Sequence, residues 1–190
     1  MTSAISSHKK TVRLVTSAIM LALATVLSLI KPVTMPLGGS ITLLSMLPIC
    51  IVSIKYGVGW GLGTAFAYSL VQLAFDFSAA LSWGLTKQAV VACFLIDYVL
   101  AFTSLGISGI FRKKGHSGVC LGIALAIFLR FVCHVISGGV IFDIWCEWDN
   151  AWVYSIAYNG TFMLPEMILT VVAAYFILKL PQMKSAITSE

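Results

Sequence analysis

Six apolar runs separated by short polar connections make up most of this chain. They cover about residues 14–30, 41–54, 60–75, 86–110, 119–140 and 151–180 of the 190 residues. Only 10% of the residues are charged, whereas soluble domains carry about 25%. So little charge cannot solvate a globule of this size. A soluble enzyme, a disordered chain and a disulfide-framed secreted domain are therefore excluded, and an integral membrane protein remains.

The runs predict an all-α protein with six transmembrane helices in a single domain, residues 1–190. A helix needs roughly 20 apolar residues to cross the hydrocarbon core. The second run is short, which predicts a tilted or partly re-entrant helix buried among its neighbours. The sequence contains no Walker loop, GxGxxG, HExxH or CxxC motif. We therefore expect neither a bound metal nor a cofactor.

The charges of the connections predict the orientation of the chain. Six crossings place both termini on one side. That side carries most of the basic residues, namely Lys9, Lys10, Arg13, Lys55, Arg112, Lys113, Lys114, Lys179 and Lys184. The other side carries Lys31 and the acids Asp76, Asp143, Glu147 and Asp149. By the positive-inside rule, the basic side and both termini are cytoplasmic. The net charge of +5 reflects this anchoring, so we expect no nucleic-acid partner.

Two ionisable residues lie near the middle of the last two runs. Charged residues inside a span are costly and are candidates for function by default. Arg130 and Glu166 have similar depths, which predicts a structural ion pair between adjacent helices. Alternatively, Glu166 serves the backbone freed by a kink at Pro165.

A second polar set lies in the predicted outer half of three helices, which indicates a pocket that opens outward. Its members are Lys87, Asp97, His134, Tyr154 and Asn159. A lone histidine on an apolar helix is also compatible with a satisfied core residue. The convergence of several polar groups at one depth favours the pocket.

The chemistry of this layer suits a flat, cationic or protonatable heterocycle. Asp97 supplies a negative charge, and His134 and Asn159 can hydrogen bond to ring substituents. Ring faces come from Tyr98, Trp145, Trp148, Trp152 and Tyr154, as cation–π binding requires. The tryptophans fit an interfacial aromatic belt equally well. The Lys87 ammonium would oppose a cationic ligand unless it snorkels outward.

Four motifs together resemble the thiamine-specific S-component of energy-coupling factor transporters. GGSITL at 38–43, followed by MLP at 46–48, is similar to its second-helix signature. DYVLAF at 97–102 and LGISG at 105–109 are similar to the fourth helix. RFVCHVISG at 130–138 and YSIAYNG at 154–160 are similar to the fifth and sixth helices.

The resemblance implies a six-helix substrate-capture subunit with no catalysis of its own. In that family the subunit works with a transmembrane coupling subunit and two cytoplasmic ATPases. Ala18 and Ala22 form an AxxxA step that matches the alanines contacting the coupling subunit. The positions that match the family's ligand-binding residues are Asp97, Tyr98, His134, Tyr154 and Asn159.

Three departures bear on the ligand. Asp97 stands where many members have Glu, and Lys87 stands where some have Tyr. A family tryptophan falls near Phe142, with Trp145 and Trp148 as possible replacements. The leading expectation is high-affinity thiamine binding in an outward-side pocket of a bacterial cell-membrane importer.

Three alternatives stay open at this point. Lys87 favours a neutral or aldehyde-bearing ring, such as pyridoxine or another heteroaromatic vitamin precursor. An intramembrane enzyme would use His134 and Asp97 as an acid–base pair. A small channel would need an uninterrupted polar stripe across the bilayer, whereas the polar groups cluster in one half.

Overall fold

Helices account for almost all of the fold, as the apolar runs predict. The computed structural model describes residues 2–35 and 38–181, so Lys184 and both ends of the predicted 1–190 domain lie outside the described residues. In chain order the helices are α1 (Thr2–Leu29), α2 (Leu47–Tyr56), α3 (Val58–Leu81), α4 (Lys87–Cys93), α5 (Ala101–Thr103), α6 (Gly115–Val140) and α7 (Ala151–Ile177). By length and composition, four stretches could cross a membrane: Ser7–Leu29, Val58–Leu81, Lys87–Val140 and Ala151–Ile177.

The stretch Lys87–Val140 is two antiparallel helices. α4 continues through a π-helical turn, Phe94–Leu100, into α5 and a 3₁₀ segment, Ser104–Lys114. We call this continuous piece the rod 87–114. The backbone leaves helical geometry at Phe111, and Gly115 has a φ of 69°. The Ser104 hydroxyl then donates to the Ala126 carbonyl at 3.1 Å, so α6 runs back along the rod.

The second apolar segment differs from its predicted bounds. α2 begins at Leu47, not at residue 41, and Pro48 lies in its first turn, where the missing N–H costs nothing. Residues 33–41 instead contain an antiparallel hairpin of β1 (Val33–Thr34) and β2 (Ser40–Ile41). With 10 residues, α2 extends about 15 Å, half the hydrocarbon thickness. It is buried along most of its length, as expected for a short inner helix. The count of six crossings stays a prediction.

Basic residues from several helices gather at one end of the bundle. Arg112, at the end of the rod, donates to the carbonyl of Lys55 at 3.0 Å. His116, in the first turn of α6, lies 3.0 Å from the carbonyl of Leu178, beside Lys179. We call this the basic end. Basic residues thus meet at one end of the described structure, while the sorting of the other charges and the side of the membrane that this end faces stay predictions.

The half of the bundle next to the basic end is solidly packed. A Cβ at Gly122 would overlap the carbonyl oxygen of Ser108, and a Cβ at Gly109 would overlap that of Ser53. Only glycine permits backbones to approach this closely. Fully buried side chains fill the remaining space, including Ile49, Leu105, Ile123, Ile127 and Met163. We call this the closed half.

Candidate ligand-binding cavity

A cavity of about 460 Å³ occupies the half of the bundle away from the basic end. Its volume lies in the range typical of small-molecule sites. α3 lines one wall at helical spacing with Tyr68, Gln72, Asp76 and Ala79, and Trp83 adds to this wall from the turn after the helix. The rod 87–114, α6 and α7 form the other walls. The two short strands with the residues beside them, 33–35 and 38–42, are called the hairpin segment, and it contributes Gly38, Gly39, Ser40 and Thr42.

Asp97 lies on the wall facing α6 and is held by three donors. Its Oδ1 lies 2.8 Å from Nδ1 of His134. Its Oδ2 accepts a bond from the Ser137 hydroxyl and another from the Cys93 thiol at 3.4 Å. Asp97 and Tyr98 belong to the π-helical turn, a local widening of the helix that is frequent at functional sites. The carboxylate is therefore fixed in position before any ligand arrives.

The hydrogen bonds of His134 define its tautomer. Its Nε2 lies 3.3 Å from Nε of Arg130, which can only donate. Its Nδ1 faces a carboxylate, which only accepts when ionised. With Nε2 accepting from Arg130, the Nδ1 of His134 is placed to donate to Asp97.

Arg130 and Glu166 meet, as their depth predicts. Nη1 of Arg130 lies 4.0 Å from Oε2 of Glu166, with the side chains 11% and 3% exposed. The guanidinium carbon also lies 4.1 Å from the ring centroid of Phe102. Glu166 Oε1 accepts bonds from the N–H of Thr42, at 2.6 Å, and from its hydroxyl. Glu166 therefore holds the hairpin segment rather than the backbone near Pro165, which corrects the alternative role.

α7 contributes an aromatic face and one amide. Tyr154 and Tyr158 stack with centroids 6.1 Å apart. The Tyr158 hydroxyl accepts from the N–H of Gly39 at 3.2 Å, which attaches the hairpin segment to α7. The Asn159 amide donates to the carbonyls of Ser155, at 2.9 Å, and His134, at 3.3 Å. Among the described residues, no group donates to its side-chain oxygen.

The structure brings together five of the predicted ligand residues: Asp97, Tyr98, His134, Tyr154 and Asn159 all line the cavity. Arg130, predicted as a structural residue, lines it too. What each of them contributes to binding stays a prediction.

Four other predicted ligand residues do not line the cavity. Lys87 is exposed in the first turn of α4, next to the N-cap residue Thr86. Trp145, Trp148 and Trp152 are 46%, 53% and 47% exposed, since they lie on or beside the connection between α6 and α7. Trp148 reaches the cavity only through Tyr154, with centroids 5.6 Å apart. These exposures fit the alternative of an interfacial aromatic belt.

Several cavity residues escaped the sequence analysis. Asp76 was assigned to an outer connection because the third apolar run ends at residue 75, whereas α3 continues to Leu81. The spacing of Tyr68, Gln72 and Asp76 along one helical face is the signal that could have placed it. Phe142 lines the cavity and packs edge-on against Trp83, with centroids 5.5 Å apart.

A bundle of apolar helices around a polar, aromatic-walled cavity defines a multi-pass membrane protein that accommodates a small molecule between its helices. Residues 14–185 match the family model described as thiamine transporter protein. The chain is 36% identical to the thiamine transporter ThiT of Bacillus subtilis (strain 168) over 179 residues, 86% of this chain and 88% of that one. It is 26% identical to ThiT of Lacticaseibacillus paracasei over 180 residues, 87% of this chain and 86% of that one. The chain belongs to the thiamine transporter protein family.

The fold agrees with this assignment. A solved structure of ThiT from Listeria monocytogenes superposes with a TM-score of 0.72 at 22% identity, covering 92% of this chain and 98% of that one. The resemblance to thiamine S-components is confirmed. Because the relatives are transporters, the expectation of a non-enzymatic role is confirmed too, and the intramembrane-enzyme alternative is wrong.

Proposed function

We propose that this chain is the substrate-capture subunit of an ATP-driven energy-coupling factor importer and that it binds thiamine with high affinity. The observation that carries the proposal is the Asp97 site, a carboxylate held by three donors in an aromatic-walled cavity. The curated relatives of the chain are thiamine transporters. The cavity and the family therefore point to the same ligand.

Thiamine consists of a flat aminopyrimidine joined to a cationic thiazolium, and the cavity offers groups that suit both rings. Asp97 retains lone pairs that can accept from the pyrimidine amino group. The Asn159 oxygen and the Tyr154 hydroxyl provide further polar contacts. The rings of Tyr98, Phe142 and Tyr154 offer faces against which a flat cation is stabilised.

The alternatives fit the cavity less well. Pyridoxine was favoured by a pocket position of Lys87, but Lys87 lies outside the cavity. A channel would need a polar path through the bundle, whereas the closed half is filled by glycine contacts and apolar side chains. Pyridoxine is kept as an outcome of the test below.

The proposed placement is in a bacterial cell membrane, as a single 1–190 domain with six crossings and both termini cytoplasmic. The positive-inside rule supports this orientation, because the basic end then faces the cytoplasm. The cavity, at the opposite end, would open outward. α2 would be the short sixth segment, inserted among the full-length helices.

We further propose that α1 contacts the coupling subunit, which in turn recruits the two ATPases. Ala18 and Ala22 are exposed on α1, whereas Ser17, Ala24 and Ser28 form its buried face. An exposed AxxxA step allows another helix to approach closely within lipid.

Tryptophan fluorescence of the detergent-purified protein tests ligand capture, because Trp83 lines the cavity. We expect saturable quenching by nanomolar thiamine. Asp97→Asn should weaken thiamine binding by about 30-fold or more, because a charged hydrogen-bond acceptor for the pyrimidine amino group is lost. Asp149→Asn, an exposed carboxylate that does not line the cavity, should bind like wild type. Quenching by pyridoxine with no response to thiamine would contradict the ligand assignment.

A further inference from the structure

The cavity contains two carboxylates, and they differ in how well they are satisfied. Asp97 accepts three hydrogen bonds. Asp76, on α3, accepts one, from the Tyr98 hydroxyl to its Oδ2 at 3.3 Å. Within residues 2–35 and 38–181, nothing donates to its Oδ1. Asp76 is therefore the less satisfied of the two.

No cation of the protein neutralises Asp76 within that same part of the chain. Of the cations that line the cavity, Arg130 pairs with Glu166, and Lys31 is exposed and forms no ion pair with Asp76 in the described structure. The ring nitrogens of His134 face Arg130 and Asp97 rather than Asp76. Asp76 is partly buried in the cavity wall, so a ligand that covers it takes away part of its hydration and must replace it with an opposite charge or a donor. A cationic guest would supply that charge.

The wall around Asp76 also suits a flat cation. Tyr98 stacks on Phe102 with centroids 6.2 Å apart, and Tyr68 meets Phe102 edge-on at 5.5 Å. Ala79, about one turn further along α3, lines the same wall and leaves room beside the carboxylate. A carboxylate next to ring faces is an arrangement that attracts delocalised cations.

We propose that Asp76 is the counter-ion of the substrate's cationic ring and selects a charged heterocycle over a neutral one of the same shape. In this arrangement Asp97 receives the aminopyrimidine and Asp76 receives the thiazolium. The inference rests on the proposed function, and it adds a specificity residue on α3 to the residues that the sequence motifs indicate.

The test compares thiamine with its neutral thiophene isostere, 3-deazathiamine, on wild type and on Asp76→Asn. Asparagine retains an acceptor for the Tyr98 hydroxyl but removes the charge. Calorimetric titration should show thiamine binding weakened by about 30-fold, as expected when one partner of a buried charge pair is lost. Binding of the neutral isostere should change by no more than about threefold, since no charge pair is involved.

Two further variants separate charge from structure. Asp76→Glu keeps the charge and should recover most of the preference for thiamine over the isostere. Tyr98→Phe removes the hydrogen bond but not the charge, so it should affect both ligands alike. A thermal-unfolding check on each variant confirms that it is folded.

If Asp76→Asn weakens the binding of thiamine and of the isostere equally, or weakens the binding of neither, the role of Asp76 is overturned. Thiamine capture is left intact by that result. A wild-type protein that binds the neutral isostere as tightly as thiamine would also overturn it. Failure of the wild type to bind thiamine would instead contradict the proposed function itself.

Discussion

At the scale of single residues, Glu166 connects parts of the molecule that are far apart in sequence. It is 3% exposed, and it accepts two bonds from Thr42 on the hairpin segment while facing Arg130 on α6. Taking two charges out of water offsets most of their attraction. We therefore expect the main effect of the pair to be positional, because it holds Arg130 beside His134 and Thr42 against α7.

Replacing Glu166 by glutamine should show how strongly the stability of the fold depends on the Arg130–Glu166 pair. Glutamine can still accept from Thr42, but it leaves the Arg130 charge without its partner. We expect the free energy of unfolding to fall by about 3 kcal/mol, measured by thermal unfolding in detergent.

The matched control for this change is the double variant Arg130→Met with Glu166→Gln. It removes the uncompensated charge and should be more stable than Glu166→Gln alone. A double variant that is no more stable than the single one would contradict a charge-based origin of the loss.

The residue scale also shows what sequence reasoning can and cannot reach. The meeting of Arg130 and Glu166 could be predicted, because depth along two neighbouring helices is countable from the chain. The part played by Thr42 could not, because it depends on how the hairpin folds back over the bundle. Whether Lys87 faces the cavity or snorkels outward could not be predicted either, because a position along the chain does not reveal which way a side chain in the first turn of a helix faces.

At the scale of elements, the helices were predictable and the departures from α-helix were not. Long apolar runs fix where helices form, because every backbone group in lipid must be satisfied within the segment. The π-helical turn at Phe94–Leu100 cannot be recognised from the spacing of apolar residues in the sequence. The hairpin at 33–41 is too short and too mixed in composition to stand out from a connection.

Glycine contacts between elements give a direct prediction for stability. Gly122→Ala places a methyl group against the carbonyl oxygen of Ser108, a backbone atom that cannot move aside cheaply. We expect a loss of roughly 2 kcal/mol, as for other overpacked sites, seen as a lower midpoint of thermal unfolding.

Gly63→Ala is the matched control, because nothing lies within 4 Å of a Cβ there. It should be neutral or stabilising by about 0.5 kcal/mol, since alanine is the better helix former. Similar midpoints for the two variants would show that the rod 87–114 and α6 do not depend on their close approach.

At the scale of the whole molecule, the coupling role that we propose for α1 uses a different face from the one that packs on the bundle. Its exposed side presents Ala18 and Ala22, while its buried side packs on the bundle through residues such as Ala24. Binding and coupling are therefore expected to depend on different faces of the same protein.

Ala22→Phe should separate the two activities. The ring blocks close approach of a partner helix, so thiamine uptake by cells expressing the complete importer should be abolished. Thiamine binding by the purified variant should stay at the wild-type level. Ala157→Phe, an exposed alanine on α7, should affect neither measurement. Loss of binding together with uptake would count against a coupling role for this face.

The closed half determines how a captured molecule can depart. With that end of the bundle filled, the guest must leave by the mouth through which it entered, so loading and unloading share one route. An isolated protein in a sealed vesicle would then exchange vitamin only with the compartment that the mouth faces, and never accumulate it. The time for which the vitamin stays bound limits the rate of transport, unless another protein accelerates its release. A cavity of about 460 Å³ has room for one vitamin molecule, so each loading of this site would deliver at most one molecule.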